Sequence, residues 1–264
     1  MCLGDDSGRS TVCRLTGHTL HPCVCCSVEK GKRTGLLRSE IGTLNEGPLH
    51  AALKQHYARP GDAVEATVHG YVVDILRGGH IFEVHTGGFS SLKHKLRLLL
   101  KDHALTLICP VACERWIVKL PTGSFQTVTR RRSPKHNGCE GIFEKLVSIP
   151  ELLAHPQFEL EVVSTREEEI RTFDGLCGRR RRGWVVVERR LLEIVDSLVL
   201  REPGDLHRLI PHTLPQQFQT RDLVATQGWS RRLAQQAAYC LRKSGEASVV
   251  GKSGNAIIYS FHAH

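Results

Sequence analysis

Residues 71–101, YVVDILRGGHIFEVHTGGFSSLKHKLRLLLK, constrain the fold more than any other stretch. Two short apolar runs, Tyr71–Leu76 and Ile81–Val84, flank Gly78-Gly79, a pairing that predicts a tight β-hairpin. A helix is expected next. Leu92, Leu96, Leu99 and Leu100 recur at i, i+4, i+7 and i+8, with Ser90 or Ser91 as its cap. Each strand carries one acid. Val73 and Ile75 take one face of the first strand and leave Asp74 on the other, while Ile81, Glu83 and His85 share a face of the second. A hairpin can therefore project both carboxylates to one side. A carboxylate in so apolar a strand costs free energy unless its charge is offset. Mg²⁺ is one such partner, since it takes one or two carboxylates plus water. The alternative is that both acids sit on the rim of a half-solvated sheet. On a helical wheel Lys93 and Lys95 flank the leucine stripe on opposite sides, so either can lean back toward the acids.

Asp, a turn, Glu-x-Lys and a helix is the pattern of the PD-(D/E)XK, or restriction-endonuclease-like, nucleases. Residues 71–101 resemble it, with Asp74 and Glu83 as the two acids. His85 stands at the lysine position, and some branches of that superfamily draw the lysine from the next helix, here Lys93 or Lys95. The resemblance implies an α/β (α+β) mixed-sheet core. It also implies a Mg²⁺ (or Mn²⁺) ion held by Asp74, Glu83 and the backbone carbonyl of Val84, with Glu46 in support. Lys93 or Lys95 would then face the developing charge, and His85 would orient or deprotonate the attacking water.

The flanking order fits that core over about residues 45–112. Asn45 is expected to cap a helix running to about Tyr57, with Pro48 in its first turn and a stripe of Leu49, Ala52, Leu53, His56 and Tyr57. Glu46 lies three residues before Leu49 and so joins the inward face, or else complements the helix dipole. Val64, Ala66 and Val68 alternate as a first strand, and Leu105–Val111 reads as a buried one. Arg115–Leu120 and Phe125–Thr129 suggest a further hairpin, followed by a basic loop with Arg130, Arg131, Arg132 and Lys135 placed for a nucleic-acid backbone. A helix at Glu140–Ser148 and a strand at Phe158–Val163 follow, and Glu167-Glu168-Glu169 reads as a solvent face. Asp174–Gly183, with its four-arginine run, is expected to be a linker or loop. Residues 184–214 are expected to connect two domains, with Trp184–Leu200 undecided between strand and helix.

Residues 215–264 carry the second strong signal. Thr220 can cap a helix over Arg221–Thr226, and Ser230 a second over Arg231–Ser244 with Gly245 just past its end. Strands at Ala247–Val250 and Ala256–Phe261 complete the layout of a winged helix-turn-helix. Arg231, Arg232, Gln235 and Gln236 would meet base edges, and Lys252 at the wing tip a phosphate. Such modules also bind protein or simply pack.

Lys plus Arg exceed Asp plus Glu by nine, a surplus suited to phosphate polymers or anionic membranes. No apolar run reaches the roughly 18 residues of a membrane helix, and the N-terminus lacks a basic start followed by an apolar stretch. A cytoplasmic chain with reduced cysteines is expected. Cys2, Cys13, His18, His21, Cys23, Cys25 and Cys26 crowd residues 1–40, but their spacing lacks paired zinc-ligand sets, so a disordered tail without zinc is expected there. Residues 41–173 would form the nuclease-like domain. Beyond the superfamily motif, NEGPLHAALK (45–54), RRRSPKHNG (130–138) and RRLAQQAAYCLRKSG (231–245) resemble a bacterial protein type that joins such a domain to a winged helix. The expected activity is Mg²⁺-dependent DNA phosphodiester hydrolysis. The alternative is a DNA-binding regulator or defence-system component whose nuclease fold no longer cuts. RNA stays open as the ligand, because phosphate attraction does not separate it from DNA.

Overall fold

A computed structural model describes residues 46–123, 127–135, 138–175 and 183–262. The tail over 1–40 with its Cys/His cluster, the Asn45 cap and the arginine run at 179–182 lie outside the described residues. The architecture is α+β. A seven-stranded mixed sheet runs in the order β1 (Ala63–Val68), β2 (Tyr71–Arg77), β3 (His80–Val84), β4 (Ala104–Lys119), β6 (Phe158–Phe173), β7 (Trp184–Leu200), with β5 (Thr129–Arg132) paired to the outer half of β4.

The hairpin forms as its glycines dictate. Gly78 and Gly79 have φ of +54° and +85°, left-handed values that a side chain would resist. The β2–β3 ladder pairs Arg77 with His80, Leu76 with Ile81 and Ile75 with Phe82, and stops there. From β3 the chain crosses through α2 (Lys93–Leu99) to β4, which lies parallel to both β3 and β6. Leu92, Leu96, Leu99 and Leu100 are buried as their spacing predicts. Neither Ser90 nor Ser91 caps α2, however. A 3-10 turn over Phe89–Ser91 precedes it, and Leu92 stands at the N-cap without a side-chain bond. The first helix, α1, spans Pro48–Tyr57 with Gly47 at its N-cap and proline in its first turn.

Alternate residues of β4 sort the core into two layers. Leu105, Leu107, Cys109 and Val111 join a large cluster with α2, α3 (Phe143–Leu146) and the C-terminal helices. Ile108 joins Leu49, Leu53, Val84 and Val163 in a smaller cluster beneath α1.

Three strand assignments differ from expectation. The apolar run at 105–111 and the run at 115–120 are one continuous strand, and the arginines of 130–132 are its partner β5 rather than a loop. Glu167-Glu168-Glu169 is not a solvent face, since Glu167 and Glu169 are buried within β6. Trp184–Leu200 is not a connector but the edge strand β7. Its register against β6 shifts three times and skips Val187, Leu192 and Val195. Those three are its large exposed apolar residues, at 52%, 47% and 45% exposure. Each bulge pushes one side chain out and resets the inside–outside phase. The helix-like spacing of Leu191, Leu192 and Val195 arises from those resets.

The C-terminal portion runs β8 (Gln217–Phe218), α4 (Thr220–Gln227), α5 (Arg231–Ser244), β9 (Ala247–Ser253) and β10 (Ala256–Phe261), its small sheet ordered β8-β10-β9. Ser230 Oγ accepts from the Leu233 N–H at 3.2 Å, and Gly245 ends α5 at φ +94°. Thr220 is the first residue of α4 rather than its cap; Gln219 stands at the N-cap, where its N–H donates to Asp222 Oδ2 at 2.7 Å. Among the described residues no helix is long and apolar enough to cross a membrane.

Candidate functional site

The hairpin ladder ends at Ile75 and Phe82, so Asp74 and Glu83 face each other where β2 and β3 part. Ladder bonding gives way there to side chains. Asp74 Oδ2 accepts the Val84 N–H at 2.8 Å. Glu83 Oε1 accepts from Lys95 Nζ at 2.5 Å, and the same ammonium donates to the Val72 carbonyl at 2.7 Å. Glu83 Oε2 is buried without a partner. Burial pushes the Glu83 carboxyl up; Lys95 opposes that, and the nearby Asp74 charge adds to it. Burial also acts to raise Asp74, but His50, the Val84 N–H and Lys95 outweigh it and hold that carboxyl below its usual range.

The spacing of the acids passes over one member of the cluster, His50. It sits on α1 with Nε2 at 3.1 Å from Asp74 Oδ2 and 3.0 Å from the Val84 carbonyl, and Nδ1 at 2.6 Å from Glu46 Oε1. These are all acceptors, so the ring donates from both nitrogens. Burial favours the neutral ring, but Asp74 and Glu46 overcome it and push the imidazole up to about 9. Glu46 also meets Lys54 at 2.6 Å, and Lys54 meets Glu65 at 2.7 Å. Glu46, His50 and Lys54 stand at i, i+4 and i+8, a charge ladder visible in the sequence.

Of the two candidate lysines, Lys95 faces the acids. Lys93 does not; it turns to Glu151 at 2.9 Å beside Arg97. His85 is also redirected. Its Nε2 donates to the Gly88 carbonyl at 3.0 Å, and a Cβ at Gly87 would come within 3.2 Å of that ring. Burial, partly opposed by that carbonyl, keeps the His85 ring neutral, as do the nearby charges of Lys145, His50 and Lys95. The neutral ring therefore presents its lone pair at Nδ1.

Among the described residues no three His, Cys, Asp or Glu side chains already surround one point. The ligand atoms present are sparser: the Asp74 carboxylate, the Val84 carbonyl and the orphan oxygen of Glu83, while the His50 imidazolium beside the first two has no lone pair to offer. One or two carboxylates with room for water is the set that Mg²⁺ accepts.

The proposed nucleic-acid contacts divide. Arg130 lies over the Trp116 ring at 4.1 Å and pairs with Glu168 at 2.8 Å, and Arg132 pairs with Glu114 at 2.7 Å. Two of the three charges are thus already matched, while Arg131 and Lys135 are exposed. On α5, Arg231, Arg232 and Gln235 are exposed, as is Lys252 on β9. Gln236 is half-buried with its Oε1 enclosed and unpartnered, so its carbonyl end is not presented outward.

A cleft of about 160 Å³ opens beside this cluster, lined in part by Leu49, Thr86, Arg115, Lys145 and Arg189. The comparisons with known proteins carry no assigned activity. The chain is 29% identical over 220 residues to an uncharacterized protein of Treponema pallidum (strain Nichols), covering 83% of this chain and 86% of the relative. No solved structure matches. Residues 47–201, from α1 to the end of β7, match the family described as a domain of unknown function (DUF8091), and the chain belongs to that family.

Proposed function

We propose that the protein is a Mg²⁺-dependent DNA phosphodiesterase of the restriction-endonuclease-like type, its substrate gripped by a C-terminal winged helix. One observation carries this reading. Two acids face each other where a hairpin opens, and the lysine of the following helix bonds the second acid at 2.5 Å. Asp74, Glu83 and the Val84 carbonyl would hold the ion, whose charge would take the place of the His50 imidazolium that Glu46 orients beside them. A bound divalent ion supplies charge neutralisation at the phosphate and acidifies water. Lys95 stands where negative charge builds, and the neutral His85 can accept a proton at Nδ1. The order β8-α4-α5-β9-β10, with its central β10, supports the winged helix, and α5 offers Arg231, Arg232 and Gln235 to a groove.

A second reading has its own support. The His50 imidazolium already satisfies Asp74 and the Val84 carbonyl, as a folded but non-cleaving DNA-binding regulator would require. One comparison separates the two. Wild type and Asp74→Ala are incubated with duplex, nicked and single-stranded DNA in Mg²⁺ or Mn²⁺ across salt concentrations. Cleavage by wild type alone is expected. DNA binding by both with cleavage by neither overturns the enzyme reading in favour of the regulator. Matched RNA and DNA duplexes in competition fix the polymer.

A further inference from the structure

We infer that the cleft beside the acid cluster is a phosphate-binding subsite, holding a second phosphate group of the strand whose scissile diester lies at Asp74 and Glu83. The inference rests on the proposed nuclease reading for its substrate, but not for its binding chemistry. Leu49, next to His50, and Thr86, two residues past Val84, form the wall nearest the acids, so the two sites are neighbours. Three cations line the cleft: Arg115 from β4, Lys145 from α3 and Arg189 from β7. Two acids, Glu144 and Glu167, also line it. Glu167 is already taken, since it accepts from Arg115 Nη2 at 3.1 Å and from the Thr165 hydroxyl at 2.9 Å. Glu144 stands exposed on α3.

The cations are held in place from behind. Glu169, buried in β6, meets Arg189 Nε at 3.4 Å and Arg115 Nη1 at 3.7 Å. Lys145 Nζ is fixed by the carbonyls of Thr86 and Pro110, at 3.4 and 3.2 Å, and by Cys109 Sγ at 3.1 Å. Arg115 Nε, by contrast, is buried with no acceptor. That nitrogen is closed to solvent, so an oxyanion in the cleft would be met by the parts of the guanidinium groups left open, Arg115 at 30% and Arg189 at 37% exposure. Among the described residues no aromatic ring lines the cleft to stack a base, so recognition here would read the backbone and not the base.

The test uses the full chain without divalent metal, so that binding is read apart from cleavage. Inorganic phosphate competes against a fluorescent single-stranded oligonucleotide bearing either a 5′-phosphate or a 5′-hydroxyl. Arg189→Gln is the main variant because that side chain is 37% exposed and Arg171 and Arg115 still meet Glu169 without it. Its affinity for the oligonucleotide is expected to fall about tenfold, and inorganic phosphate to compete less well, while Val64→Ala, exposed on β1 and in neither site, keeps both. A loss confined to the 5′-phosphorylated strand identifies a terminal monoester; an equal loss on both strands identifies an internal diester. Unchanged binding by Arg189→Gln and by Lys145→Met, with both variants folded by circular dichroism, overturns the subsite. Absence of cleavage in wild type with phosphate binding intact overturns the nuclease reading instead.

Discussion

Lys95 and Glu83 are best tested together. Their charges lie 2.5 Å apart with side chains 14% and 8% exposed. At an effective dielectric near 20 the gross attraction at that distance is about 7 kcal/mol, and desolvation of the two ions offsets most of it. The consequences of breaking the pair are unequal. Lys95→Met leaves a buried carboxylate opposite Asp74 and is expected to cost about 3–5 kcal/mol, reduced by whatever Glu83 recovers on taking up a proton. Protonation is already favoured there by burial and by the Asp74 charge. Glu83→Gln leaves Lys95 its bond to the Val72 carbonyl, so a smaller loss of about 2–3 kcal/mol is expected.

The double variant removes both charges at once. It should cost about 2–5 kcal/mol, and the shortfall from additivity, about 3 kcal/mol, measures the coupling. Urea denaturation at pH 7 without metal, followed by circular dichroism and tryptophan fluorescence, gives all four stabilities. Single-variant losses under about 1 kcal/mol that simply add would refute the reasoning, because that is how a solvated surface pair behaves.

Three further outcomes follow from the structure. His50 rises from 6.5 to about 9 on folding, so its contribution is complete below pH 6.5 and lost as pH climbs through 9. Metal-free urea midpoints should fall over that range by an amount equivalent to about 1–2 kcal/mol after screening, and His50→Gln should flatten the fall. Ser230→Ala should cost about 1 kcal/mol by chemical denaturation because it uncaps α5, whereas Ser90→Ala and Ser91→Ala should each stay within about 0.5 kcal/mol. Leu192→Lys, at a bulge that already faces solvent, should shift stability by no more than about 0.5 kcal/mol, while Leu200→Ala in the core of the same strand should cost about 2–5 kcal/mol.

Elements whose cause is local are legible in the sequence. The Gly78-Gly79 turn needs left-handed backbone, and the limits of α5 are written in Ser230 and Gly245. The strand β7 is not legible, because three bulges break its alternation and the register that places them belongs to β6. The glutamates at 167–169 mislead for a related reason. Arg171, two residues along β6, pairs with Glu169, but Arg115 and Arg189 come from other strands, 52 and 20 residues away, and the burial depends on those strands. At the site, Asp74 and Glu83 can be paired from spacing alone, whereas spacing offers Lys93 and Lys95 equally and the fold turns only Lys95 to the acids. His50 reaches them from another helix, across 24 residues, and its ladder with Glu46 and Lys54 was the available sign.

The charges around the fork argue for a role beyond holding the sheet together. Glu46, Glu65, Asp74 and Glu83 stand against His50, Lys54 and Lys95, four acids to three cations, in a chain running from Glu65 through Lys54, Glu46 and His50 to Asp74 and the neighbouring pair of Lys95 and Glu83. A network built for stability alone would close with every buried oxygen matched, since an orphan costs about 1–3 kcal/mol or more when charged. This one does not close. The unmatched atom is Glu83 Oε2, and that carboxyl is pushed up while Asp74 beside it is held down. Two neighbouring carboxyls driven in opposite directions are the mark of a site arranged for chemistry or for a cation. The fork between β2 and β3 is where that imbalance can be answered, because there the ladder has ended and the Val84 carbonyl turns toward a cationic donor and not toward a strand.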